Sequence, residues 1–361
     1  MSLEQFFADP ANVAEKQSLP VLRALTERYA DEKPFAGLKV ALGYLLVRNS
    51  MIVFEAVWRG GAEIVIADAF ASPATAPVLA DLARYDVPVY SVEQAVEQTD
   101  LYMDINCVLG RVKAPAAAVE ITRTGVHHYE QIACPVVSAD NCRAKKIEGF
   151  FGTGNSFGRA WNQLRPGDSL AGKRSVQFGY GKIGRGVAFQ IRKAGMAVTV
   201  VDPSPAARAK AEADGFVALD FEAVPALQKA LGQADVIISV TSIPDIHSAS
   251  EVPAAWFRAN RPVLVNLGAQ DEFGADFADA EILGGREIPL NFHLAQPTLN
   301  RYVDPPLAAH VLALETLVQQ RADLENGIHP LPPEMDAWLL QTWRASWPDE
   351  DLTGIGEELG L

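Results

Sequence analysis

The sequence predicts an α/β fold built from two doubly wound parallel-sheet domains. Three observations carry that reading. The chain has 361 residues, more than one compact core organises, so two domains are expected. Continuously apolar runs of strand length, such as residues 38–46, alternate with stretches of helical period, which is the signature of strands covered on both faces. A glycine-rich turn, Gly179-Tyr-Gly-Lys-Ile-Gly184, separates an apolar run from a helix start.

In chain order, Asn12 to Glu32 has a helical pattern and residues 38–46 read as a buried strand. Ser50 to Gly60 reads as a helix, residues 62–67 as a strand, Pro73 to Tyr85 as a helix and residues 87–90 as a short strand. Residues 101–103 and 136–138 are further strand candidates, and the helix after the latter carries Lys145, Lys146 and Glu148. Ser156 to Leu164 forms a helix, followed by a turn-rich lead at 167–172 into the strand before Gly179. Strands are expected at 197–201, 234–240 and 262–268, then a long apolar helix from about Pro306 to Arg321 and a terminal helix containing tryptophan. The expected division is a substrate or catalytic domain at 1–153, completed by about 300–361, and a Rossmann domain at 154–299.

The glycine turn carries the chemistry. Gly179 permits the tight exit from the strand, Gly181 lets a pyrophosphate approach the backbone, and Gly184 lets the helix pack on the sheet. Phosphates favour the helix N-terminus, where N–H groups and the dipole attract negative charge. The next strand ends at Asp202, 23 residues after Gly179, where a carboxylate holds the ribose hydroxyls of NAD and repels the extra phosphate of NADP. NAD is therefore the expected cofactor, held by Gly179, Gly181, Lys182, Ile183, Gly184 and Asp202, with Thr241 and Asn266 at the ends of later strands.

Composition narrows the remaining classes. A formal charge of −14 argues against nucleic acid or an anionic membrane surface as partner. No apolar run reaches the roughly 20 residues of a membrane span, and the N-terminus lacks a signal-peptide pattern. Cys107, Cys134 and Cys142 show no metal spacing, so no metal is expected, and a cytoplasmic setting fits.

The order of motifs resembles S-adenosyl-L-homocysteine hydrolase over nearly the whole chain. Thr124-Gly-Val-His127, Phe151-Gly-Thr-Gly-Asn-Ser156, Leu170-Ala-Gly-Lys173 with the glycine turn, Asp214-Gly-Phe216, Asn266-Leu-Gly268 and Leu331-Pro332 through Asp336 all match family motifs. The resemblance implies tightly held NAD that oxidises a ribose hydroxyl, loss of a thiol, addition of water and return of the hydride. It also implies a homo-oligomer, dimer or tetramer. The chain reaches Leu361 just before the family's C-terminal tail, which caps the NAD of a neighbouring protomer, so it reads as a shortened relative.

The substrate positions differ from the family. Its His-x-Thr-x-Glu pocket reads Leu45-Leu-Val-Arg-Asn49, and its Glu-Thr-Thr-Thr reads Ile121-Thr-Arg-Thr124. The catalytic lysine falls on Ala144 with Lys145 adjacent, and the aspartate falls on Glu148. Two active-site histidines become Ala269 and Gln296. The pocket is accordingly expected to be rebuilt. Its expected catalytic members are Lys145, Glu148 and His293, and its substrate contacts Arg48, Asn49, Thr122, Arg123, Asp140, Asn141 and Gln296. Arg48 and Arg123 suit an anionic substrate smaller than a nucleoside. Plainer roles stand beside these: Lys145 and Glu148 as a solvated ion pair, Asp140 and Asn141 as helix caps, His293 and His310 as interior histidines. Three functions follow: oxidation of a carbinol on a small polar substrate, redox-assisted thioether cleavage of a nucleoside-like substrate, or NAD binding without catalysis. Hydrolysis of S-adenosylhomocysteine itself is not expected.

Overall fold

The computed structural model describes residues 2–70, 72–268 and 270–361, so Ala269 lies outside the described residues. The chain divides into two compact units. The first takes residues up to Ile147 together with Asn300–Leu352 and Gly356–Leu361, and the second takes Glu148–Leu299 with Thr353–Ile355.

The first unit holds a seven-stranded, wholly parallel sheet of β1 (Lys39–Tyr44), β2 (Glu63–Asp68), β3 (Val89–Tyr90), β4 (Leu101–Asp104), β5 (Ala117–Glu120), β6 (Pro135–Ser138) and β12 (Gly327–Pro330). Their order is β12-β6-β5-β4-β1-β2-β3, so the winding reverses between β1 and β4. Ligands of open parallel sheets bind beyond the strand C-termini at such a point, here past Tyr44 and Asp104. The helical pattern of residues 12–32 resolves into two helices, Pro10–Gln17 and Pro20–Glu32. Pro20 drives Leu19 out of helical geometry, to φ −123° and ψ 68°. Leu19 offers no cap, so the buried Asp304 carboxylate accepts from the N–H groups of Val21 (2.8 Å) and Leu22 (2.9 Å) instead.

The long apolar helix starts earlier than its pattern indicates, at Asn300, and runs to Gln320 with Pro305 and Pro306 inside it. Pro305 cannot donate to the Arg301 carbonyl four residues back. The buried Trp343 indole donates to that carbonyl at 2.6 Å, so the proline leaves no orphaned acceptor.

The second unit holds a five-stranded parallel sheet of β7 (Arg174–Phe178), β8 (Ala197–Val201), β9 (Val217–Leu219), β10 (Val236–Ser239) and β11 (Val263–Asn266). The order β11-β10-β7-β8-β9 is that of a dinucleotide-binding Rossmann domain, with its switch point between β7 and β10. Val176, Phe178, Leu227, Ile237, Phe257, Leu264 and Phe273 form its core. The short strands β5, β9 and β12 have no counterpart in the sequence reading.

Candidate functional site

A cavity of about 470 Å³ opens at the β7/β10 switch point of the second unit. Its floor is the turn from β7 into the helix Lys182–Lys193, with Gly179, Gly181, Lys182, Ile183 and Gly184 in the lining. Gly179 has φ +96°, and a Cβ there would lie 2.4 Å from the Val240 carbonyl oxygen, so only glycine fits. Gly181 caps the helix without a side-chain hydrogen bond, and a Cβ on it would meet nothing within 4 Å. The helix end that lines the cavity thus carries no side-chain cap from Gly181, the arrangement that suits a pyrophosphate.

Asp202 lines the same cavity from the end of β8 and is only 9% exposed. One carboxylate oxygen accepts from the Tyr180 N–H and the other from the Ser204 N–H, both at 2.8 Å. Each oxygen keeps a further lone pair for a ribose hydroxyl. Behind the turn, Asp214 pairs with Arg185 at 2.6 Å and accepts from the Tyr180 hydroxyl at 2.8 Å. These bonds hold the Asp214 carboxyl below its usual range against the opposing effect of burial. The cradle thus fits a dinucleotide, with glycine for approach, a helix end for phosphate and a fixed acid for ribose.

The other residues expected at the cofactor are placed differently. Thr241 lines the cavity, but its N–H and hydroxyl both donate to Glu272. Asn266 is fully buried, and its amide donates to the carbonyls of Gln270 (2.9 Å) and Arg286 (2.5 Å) while accepting from the Gly268 N–H. It shapes the loop after β11 and does not line the cavity. His293 ends a short turn, Leu290–His293, and its Nε2 donates to the Gly284 carbonyl at 2.8 Å. The exposed Gln296 accepts from Arg159 through its backbone carbonyl. Sequence reading passed over Glu272, Ser239 and His247, which form a buried polar chain behind Thr241. The acidic pair Asp271-Glu272, three residues after Gly268, carries nothing in the sequence that separates it from a surface pair.

In the first unit, the strand C-termini carry a pair of buried carboxylates. Asp104 and Glu120 stand opposite each other in the β4–β5 register. Asp104 accepts from the N–H groups of Leu109 and Gly110 and from the Tyr129 hydroxyl. Glu120 accepts from the N–H groups of Cys107, Ile121 and Thr122 and from the Thr122 hydroxyl. Burial pushes them up to about 6 and about 7, and the neighbouring Asp104 charge adds to the rise at Glu120. Both organise the loops that follow the strands.

Thr122 is the N-cap of the helix Arg123–Tyr129, and Arg123 is exposed at its first position. Arg48 and Asn49 open the helix Arg48–Arg59, where Arg48 donates to Asp81 at 2.6 Å and to Asn12 at 3.0 Å. Asp140 is buried just past β6, and Asn141 beside it is exposed. Neither is an N-cap of the next helix, Arg143–Ile147: Asp336 accepts from the N–H groups of Arg143 and Ala144, each at 3.0 Å. Lys145 lies on that helix, whereas Glu148 opens the π-helical turn Glu148–Gly152 of the second unit. Their three-residue spacing therefore does not run along one regular α-helix. On the long helix, the buried His310 hydrogen-bonds the Tyr44 hydroxyl, and burial with the nearby Lys145 charge lowers it to about 3. Among the described residues, no group of His, Cys, Asp and Glu gathers as a metal site, and no helix is long and apolar enough to cross a membrane.

Residues 162–278 match the family described as S-adenosyl-L-homocysteine hydrolase, NAD binding domain. The S-inosyl-L-homocysteine hydrolase of Methanocaldococcus jannaschii is 26% identical over 89% of this chain and 87% of its own length. The adenosylhomocysteinase of Nostoc sp. is 26% identical over 89% of this chain and 85% of its own. The chain is a divergent relative of the S-adenosyl-L-homocysteine hydrolases. Its second unit accordingly carries that family's NAD-binding domain, and NAD is the cofactor. A dipicolinate synthase component from Bacillus halodurans shares the fold, with a TM-score of 0.50 and 14% identity over 80% of this chain and 99% of that one.

Proposed function

We propose that this relative of the S-adenosyl-L-homocysteine hydrolases is an NAD-dependent enzyme that oxidises a carbinol carbon of a small polar, anionic substrate in a rebuilt pocket. The observation that carries the reading is a contrast. The glycine turn, uncapped helix end and anchored Asp202 line one cavity, while the positions aligned with the family's substrate contacts hold other residue types. A kept cofactor cradle with replaced substrate groups supports a changed substrate.

NAD supplies a hydride acceptor for the carbinol C–H. The chain must then take the hydroxyl proton, and Lys145 Nζ is assigned that role as general base, with Glu148 as the alternative acceptor. Asp140, Asn141 and Thr122 are assigned to orient the substrate hydroxyls, and Gln296 contributes a further polar contact. Arg123, exposed at a helix start, is assigned the anionic group. Arg48 is already neutralised by Asp81, so with Asn49 it is assigned to shape the pocket wall. His293, turned to the Gly284 carbonyl, is left out of proton transfer. A homo-oligomer remains the proposed assembly.

A second reading, thioether cleavage of a nucleoside substrate through the same first oxidation, is supported by likeness to adenosyl- and inosyl-homocysteine hydrolases along most of the chain. One experiment separates the two. Purified protein with NAD is offered S-adenosyl- and S-inosyl-homocysteine with thiol release as readout, then small hydroxy acids and polyols with NADH absorbance as readout. The expected result is NADH formation from a member of the second set and thiol release far below about 1 s⁻¹ with the first. Thiol release at that rate or above replaces the proposal with the second reading. Lys145→Ala is expected to lower NADH formation at least about 100-fold while leaving NAD affinity intact.

A further inference from the structure

We propose that Glu272 is a positioning residue for the dinucleotide: its buried carboxylate holds residues 240–243 as a fixed wall of the NAD cavity. Val240, Thr241, Ser242 and Ile243 all line that cavity. Glu272 does not, and it is fully buried. Its two oxygens collect four donor groups. The Thr241 N–H reaches both, at 3.0 and 2.8 Å, and the Ser242 N–H donates at 2.6 Å. The hydroxyls of Thr241 (2.9 Å) and Ser239 (2.6 Å) complete the set.

The rest of the network points the same way. Because the Ser239 hydroxyl donates to Glu272, its lone pair accepts from His247, so His247 carries its proton on Nε2. Its Nδ1 is buried without a partner, and burial lowers the imidazole to about 3, which keeps it neutral. Phe178, Phe257 and Phe273 enclose the ring at centroid distances of 4.6 to 5.0 Å. The main chain is gripped as well: Asp245, His247 and Ser248 donate their N–H groups to the carbonyls of Asp271, Glu272 and Phe273. Room for the carboxylate comes from Gly268, where a Cβ would lie 2.0 Å from its oxygen. That contact gives the Asn266-Leu-Gly268 motif a physical reason.

The wall is held in an uncommon shape. Ser242 (φ +62°) and Asp245 (φ +54°) are both left-handed, a conformation that persists where surrounding bonds over-determine it. With the N–H groups of Thr241 and Ser242 turned to Glu272, that face offers the ligand chiefly the apolar side chains of Val240, Ile243 and Ile246. The wall recognises the dinucleotide by shape, and charge recognition stays with the helix end and Asp202.

The test compares NAD affinity, melting temperature without NAD, and amide exchange of the 240–243 segment. Glu272→Leu removes every acceptor at similar size and is expected to weaken NAD binding at least about 10-fold, with faster exchange confined to that segment. Glu272→Gln keeps one acceptor oxygen for the two N–H groups once the hydroxyls reverse, and is expected to recover most of the affinity. Thr241→Val deletes one donor, so a fall of about 3-fold with unchanged melting is expected even if Glu272→Leu does not fold. Wild-type affinity in a folded Glu272→Leu protein, or in Thr241→Val, overturns the proposal. So does a Glu272→Gln protein that binds no better than Glu272→Leu.

Discussion

Both oxygens of Asp202 are held by backbone N–H groups, so the carboxylate needs no rearrangement to meet a ribose. Preorganisation of this kind makes the residue's contribution to binding large for its size. Asp202→Ala is expected to weaken NAD binding by about 1–3 kcal/mol, or about 5- to 150-fold, measured by calorimetry. Wild-type binding in the variant would remove Asp202 from the site. This acid was legible in the sequence because strand, spacing and residue type all agreed on it. Asn266 was legible as part of a motif but not as a loop-shaping amide, since its acceptors, Gln270 and Arg286, follow no pattern. Glu272 was illegible for the opposite reason: a carboxylate in an acidic surface-like run gave no sign that four donors converge on it.

At the scale of elements, the chain repeatedly closes helix ends with side chains far away in sequence. Asp336 takes the N–H groups of Arg143 and Ala144 and pairs with the Arg143 guanidinium at 2.9 Å, so it fixes the helix that carries Lys145. Asp336→Ala is expected to destabilise the first unit by about 1–2 kcal/mol and to speed amide exchange at Arg143 and Ala144. Unchanged exchange at those amides would show that the cap does not hold the helix. Apolar strands such as β1 and β10 could be read directly, because continuous apolar runs of that length have one explanation. The split at Pro20, the proline-bearing start at Asn300 and the short β12 could not. Each depends on a partner brought in by the fold, whether Asp304, Trp343 or β6.

For the whole molecule, buried titratable groups set how stability follows pH. Glu120 and Asp304 are pushed up to about 7 and Asp104 to about 6, chiefly by burial. Each holds its proton more tightly folded than unfolded, so its contribution is full at low pH and is lost as pH rises through the folded value. His247 and His310 act in the opposite sense. Burial lowers both to about 3, so they cost stability only as pH falls below their ordinary value of 6.5. Above that value only the acids still act. Between about pH 4.5 and 7 the three acids outweigh the two histidines, so melting temperature is expected to fall across about pH 5 to 7. A steady rise across that interval in a thermal scan would contradict the assignment.

The central claim is that the cavity of the second unit prefers NAD to NADP through its glycine turn and Asp202. The measurement that tests it most directly is calorimetric titration of the purified protein with NAD and with NADP under the same conditions. The account predicts saturable binding of NAD, at least about 10-fold tighter than NADP, because the added phosphate would face the Asp202 carboxylate. Equal affinity for the two, or no binding of NAD, would contradict it.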